Sequence, residues 1–240
     1  TDDQVESQDI STTLLYKDLG IEAMNRNLIE NNNNKYNKYS TSISYTEPLS
    51  DSLNVTIGTR YTWNNSVDDK GTFNYDSTTE RYTIKNDSLS NYISSKTNIL
   101  NPFVAFNVRK KSLSGRFSVG TEITRFNNFS NYLSQNTALN KDYIFPTMNG
   151  YINYRLTKSK SIYANYRYSV NVPTANQMLP VINLSNPLNT IVGNPDLEPV
   201  KRHNFYAGYN NYDYATRSGL YIYSGATLHE NQIVSSTVYD

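Results

Sequence analysis

Hydrophobic and polar residues alternate along several stretches of the chain. From Leu53 to Trp63 every odd position except Thr59 is apolar or aromatic, and every even position is polar or glycine. Successive side chains of a strand point to opposite faces, so this pattern predicts a strand with one greasy and one wet face. Phe117, Val119 and Ile123 stand in the same way against Arg116, Ser118, Glu122 and Thr124. Ile162, Ala164, Tyr166 and Tyr168 oppose Asn165 and Arg167, while Phe205, Ala207 and Tyr209 oppose Arg202, Asn204 and Tyr206. The pattern predicts eight strands, at about 36–46, 52–66, 92–108, 113–127, 142–156, 161–171, 200–210 and 217–229. Residues 71–85 are expected to add β structure above the second and third of these. Residues 1–35, rich in Asn, Ser and Thr, are expected to form an outer loop with a helical turn near Ile21 to Leu28.

Strand length and connection length separate two kinds of β protein. These runs of about 10 to 15 residues exceed the roughly 5–6 of a globular strand. They match the roughly 9–11 residues, plus extensions, of a tilted membrane-spanning strand. Short connections at Glu47 to Asp51, Arg109 to Ser112, Thr157 to Lys160 and Asn211 to Arg217 alternate with long polar ones at Asn65 to Asn91, Asn127 to Lys141 and Asn171 to Pro199. Outer-membrane barrels have this asymmetry of short periplasmic turns and long outer loops. A soluble sandwich gives the same alternation with its apolar face inward. Tyr39, Tyr45, Tyr61, Trp63, Tyr154, Tyr166, Tyr168 and Tyr209 lie near the ends of apolar stripes, as interfacial girdles require.

Composition narrows the function classes. Of 240 residues 37% are apolar and 18% charged, yet Tyr alone accounts for 22, too aromatic for a disordered chain. The 22 basic and 21 acidic residues give no global field, so no nucleic acid partner is expected. With no Cys, disulfide scaffolds, zinc ribbons and thiol nucleophiles are excluded, and His203 and His229 are too few for a histidine-built metal site. No cofactor is expected and the chain is not expected to be an enzyme: no paired carboxylates at useful spacing, no triad context and no phosphate loop occur. No stretch approaches the roughly 20 apolar residues of a helical span, which leaves a β-barrel open.

Several segments carry a family resemblance. Ser44-Tyr45-Thr46-Glu47-Pro48-Leu49-Ser50 resembles a periplasmic turn of large outer-membrane β-barrels from Bacteroidota, and Asp142-Tyr143-Ile144-Phe145-Pro146-Thr147 resembles a strand of that family. Tyr166-Arg167-Tyr168-Ser169, then Pro173-Thr174-Ala175-Asn176-Gln177-Met178-Leu179-Pro180, then Ser185-Asn186-Pro187, lead to Gly193-Asn194-Pro195-Asp196-Leu197-Glu198-Pro199. That last segment is similar to TonB-dependent receptors generally, and the resemblance runs from about residue 40 to 225. It implies an all-β, transmembrane antiparallel β-barrel, here a partial one of about eight spanning strands of a larger barrel, with long extracellular loops, in a Gram-negative outer membrane. Residues 1–35 are expected as an extracellular loop-like segment and 36–240 as the barrel segment. The implied partners are outer-membrane lipid, a plug domain and TonB supplied outside this segment, and a small solute, glycan or peptide. The implied role is the wall of a transporter for a bulky nutrient such as a metal chelate, glycan or peptide. The alternatives are a non-transporting barrel, such as an adhesin or secretion-associated component, and a soluble glycan-binding β-sandwich.

Candidate contact residues follow from the wet face and the proline-rich segment. Arg60, Arg116, Glu122, Arg125, Arg155, Arg167 and Arg202, with Tyr163 and Tyr206, are expected to face the lumen. Such charges either pair with one another and a plug or tune selectivity in an open pore. Asn171 to Pro199 contains five prolines, which reduce the entropy lost on ordering, so it is expected to be structured and to fold back toward the lumen. It would brace the barrel mouth or contact solute through Gln177, Asn183, Asn186 and Asn194.

Overall fold

The computed structural model describes residues 2–17, 20–180, 182–183, 191–213 and 215–236, with side chains from Asn27 onward except at Ile182, Asn183 and Ile191. The strands are β1 (Asp2–Lys17), β2 (Gly20–Ser50), β3 (Leu53–Asp76), β4 (Arg81–Lys85), β5 (Asn91–Lys110), β6 (Leu113–Tyr132), β7 (Gln135–Arg155) and β8 (Lys160–Asn171). After one helical turn, α1 (Ala175–Met178), come β9 (Ile182–Asn183), β10 (Ile191–Val192), β11 (Val200–Asp213) and β12 (Ser218–Glu230). One antiparallel sheet runs β1-β2-β3-β5-β6-β7-β8-β11-β12, with β4 paired to β3 and β9 paired separately with β10. Sequence neighbours pair along this path, except that β5 pairs with β3 rather than with β4 and that the long segment separates β8 from β11. The sheet is open, with β1 and β12 at its edges.

Register fixes which residues share a face. Tyr45, Ile57, Val104, Val119, Met148, Tyr168, His203 and Leu228 lie side by side in one cross-strand row. The adjacent row reads Thr46, Thr56, Ala105, Ser118, Asn149, Arg167, Asn204 and Thr227. Exposure follows these faces in the reverse of the soluble pattern. Ile57, Ile144 (71% exposed) and Ile222 stand open on the apolar face, while Thr56, Ser118, Thr124 and Ser130 are buried on the polar face. The sheet therefore curls with its polar face inward. A soluble sandwich would hide the apolar face against a second sheet, and here that face is bare.

The height of the apolar stripe suits a bilayer. Leu53 to Trp63 spans ten steps of β3, about 33 Å at about 3.3 Å each, and a tilt of about 40° reduces this to about 25 Å. Aromatic residues mark both ends of the stripe. Tyr39 and Trp63 pack at 5.6 Å between ring centroids at the loop end, where Tyr168 and His203 meet at 4.8 Å. Tyr45, Tyr154 and Tyr209 occupy the short-turn end. Beyond the loop end outward positions become charged, with Arg125 3.3 Å from Asp142 and Lys201 3.5 Å from Glu230.

The eight expected spanning strands correspond to β2, β3, β5, β6, β7, β8, β11 and β12, and β4 supplies the extra β structure expected near 71–85. Three local expectations are corrected. The region of Ile21 to Leu28 is strand, not helical turn, because its backbone pairs antiparallel with β1 from Asp9 to Tyr16. Asn127 to Lys141 is strand rather than loop: β6 and β7 continue to a two-residue turn in which Leu133 and Ser134 take φ of 50° and 59°, the mirror-image turn that matches strand twist. Arg125 does not face inward. It shares the outward side with Ile123, where its guanidinium meets Asp142 above the apolar stripe.

Candidate inner-wall site

Alternation along β3, β6 and β8 turns Arg60, Arg116, Glu122 and Arg167 toward the concave side, and the register brings them together. They line one concavity of about 390 Å³ with Asn101, Ser118, Thr147, Asn149 and Ser169. Pro102 has no N–H to give the ladder, and the β5–β6 pairing is interrupted at Asn101 and Pro102. There the Asn101 side-chain amide donates to Glu122 Oε2 at 3.2 Å, while Thr124 Oγ1 donates to Glu122 Oε1 at 3.2 Å. Lower on the wall Arg116 Nη1 donates to Asn107 Oδ1 at 3.4 Å, and Asn107 Nδ2 donates to Thr56 Oγ1 at 3.2 Å. The Thr46 and Thr56 hydroxyls, 2.9 Å apart, continue this polar chain, which crosses four strands.

Lumenal charges pair in one place among the described residues, where Lys70 meets Glu30 on the inward side of the β2–β3 extension, while the candidate arginines of the inner wall form no ion pair with Glu122. Among the described residues the ion pairs join Lys70 to Glu30, Lys85 to Asp87, Arg125 to Asp142, and Lys201 and His203 to Glu230. Arg60, Arg116 and Arg167 take no part in them. Arg202 also faces inward, opposite Ser169 and His229, and its buried Nε has no hydrogen-bond partner among the described residues. It does not line the concavity. Arg155 faces inward at the short-turn end, opposite Ser161.

The two candidate tyrosines are held against glycines. Tyr163 faces Gly208 across β8 and β11, so closely that a Cβ on Gly208 would collide with the ring. Tyr206 lies over Gly225 in the same manner, where an added Cβ would come within 3.0 Å of the ring. Neither lines the concavity. Both roof backbone that lacks side-chain cover.

Gln177 and Asn194 are brought together, away from the arginines, at the loop end. Gln177 Oε1 accepts from the Thr174 N–H at 2.9 Å and its hydroxyl at 3.1 Å, closing a capping box over α1. The Asn194 N–H donates to the Gln177 carbonyl at 2.7 Å, and its Oδ1 accepts from the Asp196 N–H at 2.9 Å. Both side-chain oxygens thus act as braces. Asn186 lies outside the described residues, as does the side chain of Asn183.

The same segment folds onto the inner face, as its prolines lead one to expect. Leu179 (1% exposed) and Ala175 pack with Ile93, with Leu139 against them, all on the concave side. Tyr143 directs its hydroxyl to Met178 Sδ at 3.6 Å, and Lys141 Nζ donates to the Pro195 carbonyl. The sequence reading missed this anchor and the neutral half of the concavity. Asn101, Thr147 and Asn149 could have been found by carrying the alternation through β5 and β7 rather than selecting charges.

The profile of the outer membrane protein beta-barrel family matches residues 1–240. No curated protein matches the chain. Among solved structures it is similar to the ferric yersiniabactin uptake receptor FyuA from Yersinia pestis, at 12% identity and TM-score 0.51, over 78% of this chain and 28% of that one. It is also similar to the ferric citrate transporter FecA in its unliganded form, at 13% identity and TM-score 0.50, over 88% of this chain and 29% of that one. At such identities the likeness is one of fold, and this chain spans less than a third of either protein.

Proposed function

This chain belongs to the outer membrane protein β-barrel family, and from that premise we propose that it forms part of the wall of a TonB-dependent-receptor-like transporter for a bulky nutrient. The Gram-negative outer membrane is its setting, lipid covers the apolar face, and the polar face borders the transport path. The observation that carries the reading is the inward-folded segment at the loop end, where α1 packs on the polar wall through Leu179 and Ala175. A loop fastened inside the mouth restricts entry, which suits a gated importer better than an open pore. In this reading a plug domain and TonB, supplied outside the segment, close the lumen and deliver energy. The cargo is a metal chelate, glycan or peptide.

The test is uptake. Cells lacking the gene should lose accumulation of a solute too large for general porins, and dissipating the proton gradient should abolish that accumulation in wild-type cells. Unchanged uptake of every such solute, with lost surface adhesion or secretion, would instead favour a non-transporting barrel.

A further inference from the structure

Three guanidiniums open onto one concavity without an ion pair among the described residues. Arg60, Arg116 and Arg167 line this space of about 390 Å³, and none of them joins an ion pair there. The carboxylate beside them, Glu122, already accepts at both oxygens from Asn101 and Thr124. Three positive groups against one negative group is a local excess in a chain whose totals are 22 and 21.

We propose that this concavity binds an oxyanion group, carboxylate or phosphate, carried by the solute. The inference rests on the transport reading and names the chemistry that the wall selects. Guanidinium presents a planar fork of donors that fits carboxylate and phosphate oxygens two at a time. Asn149 and Ser169 add neutral hydrogen-bonding groups to the same lining. A volume of this order suits a small-molecule group, since such sites span roughly 300–1,000 Å³. A concave wall of one sign also raises the local concentration of the opposite charge.

Position favours solute over a protein side chain as the source of the anion. Arg60 and Arg167 lie toward the loop end of their apolar stripes, three residues from Trp63 and one from Tyr168. The lining reaches Asn171, the last residue of β8, immediately before the segment that folds onto the inner face. A solute that passes the folded segment meets these side chains on the inner wall. Glu122 keeps the site from holding its anion too tightly, because a transport site must also release.

Binding to the full-length protein in detergent tests the proposal, with inorganic pyrophosphate and the tricarboxylate tricarballylate as probes and sucrose as the neutral control. Titration calorimetry should show both anions binding, and affinity should fall about tenfold or more in R60Q/R116Q/R167Q and severalfold in R167Q alone. E122Q should bind both probes more tightly, and R109Q, at the short-turn end of β5, should bind as wild type does. Retained heat-modifiable migration in gels identifies the folded variants. Absence of probe binding to folded wild type, or equal affinity in folded wild type and R167Q, would overturn the proposal. So would cross-linking of an acidic segment of the same protein onto Arg60, Arg116 and Arg167 in place of the probes. Uptake without anion binding would defeat this inference alone, whereas anion binding without energy-dependent uptake would defeat the transport reading alone.

Discussion

The two faces of the same strands obey different rules. Outward, Ile57, Val104, Val119 and Met148 form a row in which any apolar residue of similar size would serve, because lipid hydrocarbon packs against all of them alike. One position along, Thr56, Ser118, Asn149 and Arg167 form a row tied to particular partners, such as the Thr46 hydroxyl 2.9 Å from that of Thr56. The bilayer thus removes the usual reason for a hydrophobic core. Stability comes from the hydrogen-bonded ladder and the apolar exterior, and chemical specificity is concentrated on the inside.

The largest effect is expected from placing one charge on each face of a single strand. Met148 points outward midway along the apolar stripe of β7, and Asn149 points inward next to it. Met148→Arg should cost about 2–4 kcal/mol, the range for a cation at the bilayer midplane. Asn149→Arg should stay within about 1 kcal/mol, since lumen-side charge keeps water. Reversible urea unfolding in lipid vesicles measures both, and equal costs would erase the distinction between the faces.

A smaller effect is expected at Gly208, where the two faces differ in crowding rather than charge. Gly208→Ala drives a Cβ into the Tyr163 ring, and an overpacked site of this kind costs about 1–3 kcal/mol. Pairing it with Tyr163→Ala should restore part of that loss. The outward neighbour Ala207 has no such partner, so Ala207→Leu should be nearly neutral in the same assay. A Gly208→Ala protein as stable as wild type would show that the inner wall is looser than described.

The least effect is expected where the faces end, in the turns. Asp213 has its carboxyl held below the ordinary carboxylate range by the Ala215 and Thr216 N–H groups, and Asp76 by the Thr78 N–H and Thr79 hydroxyl. A lowered folded pKa stabilises above the unfolded value of about 4, and the contribution disappears as pH falls through the folded value. Protection of the amides beside Asp213, measured relative to their intrinsic exchange rate, should therefore fall on acidification below about pH 4. Asp213→Asn should flatten that response while the rest of the sheet is unchanged. A turn whose protection is equally pH-dependent in Asp213→Asn would remove the carboxylate from the account.

The spanning strands were legible because lipid and lumen impose opposite chemistry on alternate positions. Above the apolar stripe both faces meet water, and the signal disappears. For that reason the β6–β7 extension through Asn127 to Lys141 read as loop, and the β1–β2 hairpin read as loop with a helical turn. Arg125 misled for the same cause. The odd-numbered series through Phe117, Val119 and Ile123 places it outward, but its charge suggested the lumen. At the candidate site, four of the named residues converge because they are close in register across β3, β6 and β8. That the three arginines form no ion pair with Glu122 was not legible, since it depends on Asn101 and Thr124 taking the carboxylate oxygens. Gln177 and Asn194 look like ligand-binding amides in sequence, and only the folded segment reveals that their side-chain oxygens accept from its own groups.

The absence of cysteine makes the central claim directly measurable. Single cysteines placed from 144 to 154 along β7, spin-labelled in lipid vesicles, report whether each position meets dissolved oxygen in hydrocarbon or a nickel chelate in water. The account predicts a period of two, with even positions such as 144, 148 and 152 in hydrocarbon and odd positions such as 145, 149 and 153 in water. Water-accessible even positions, or no alternation at all, would contradict an apolar face turned to the membrane.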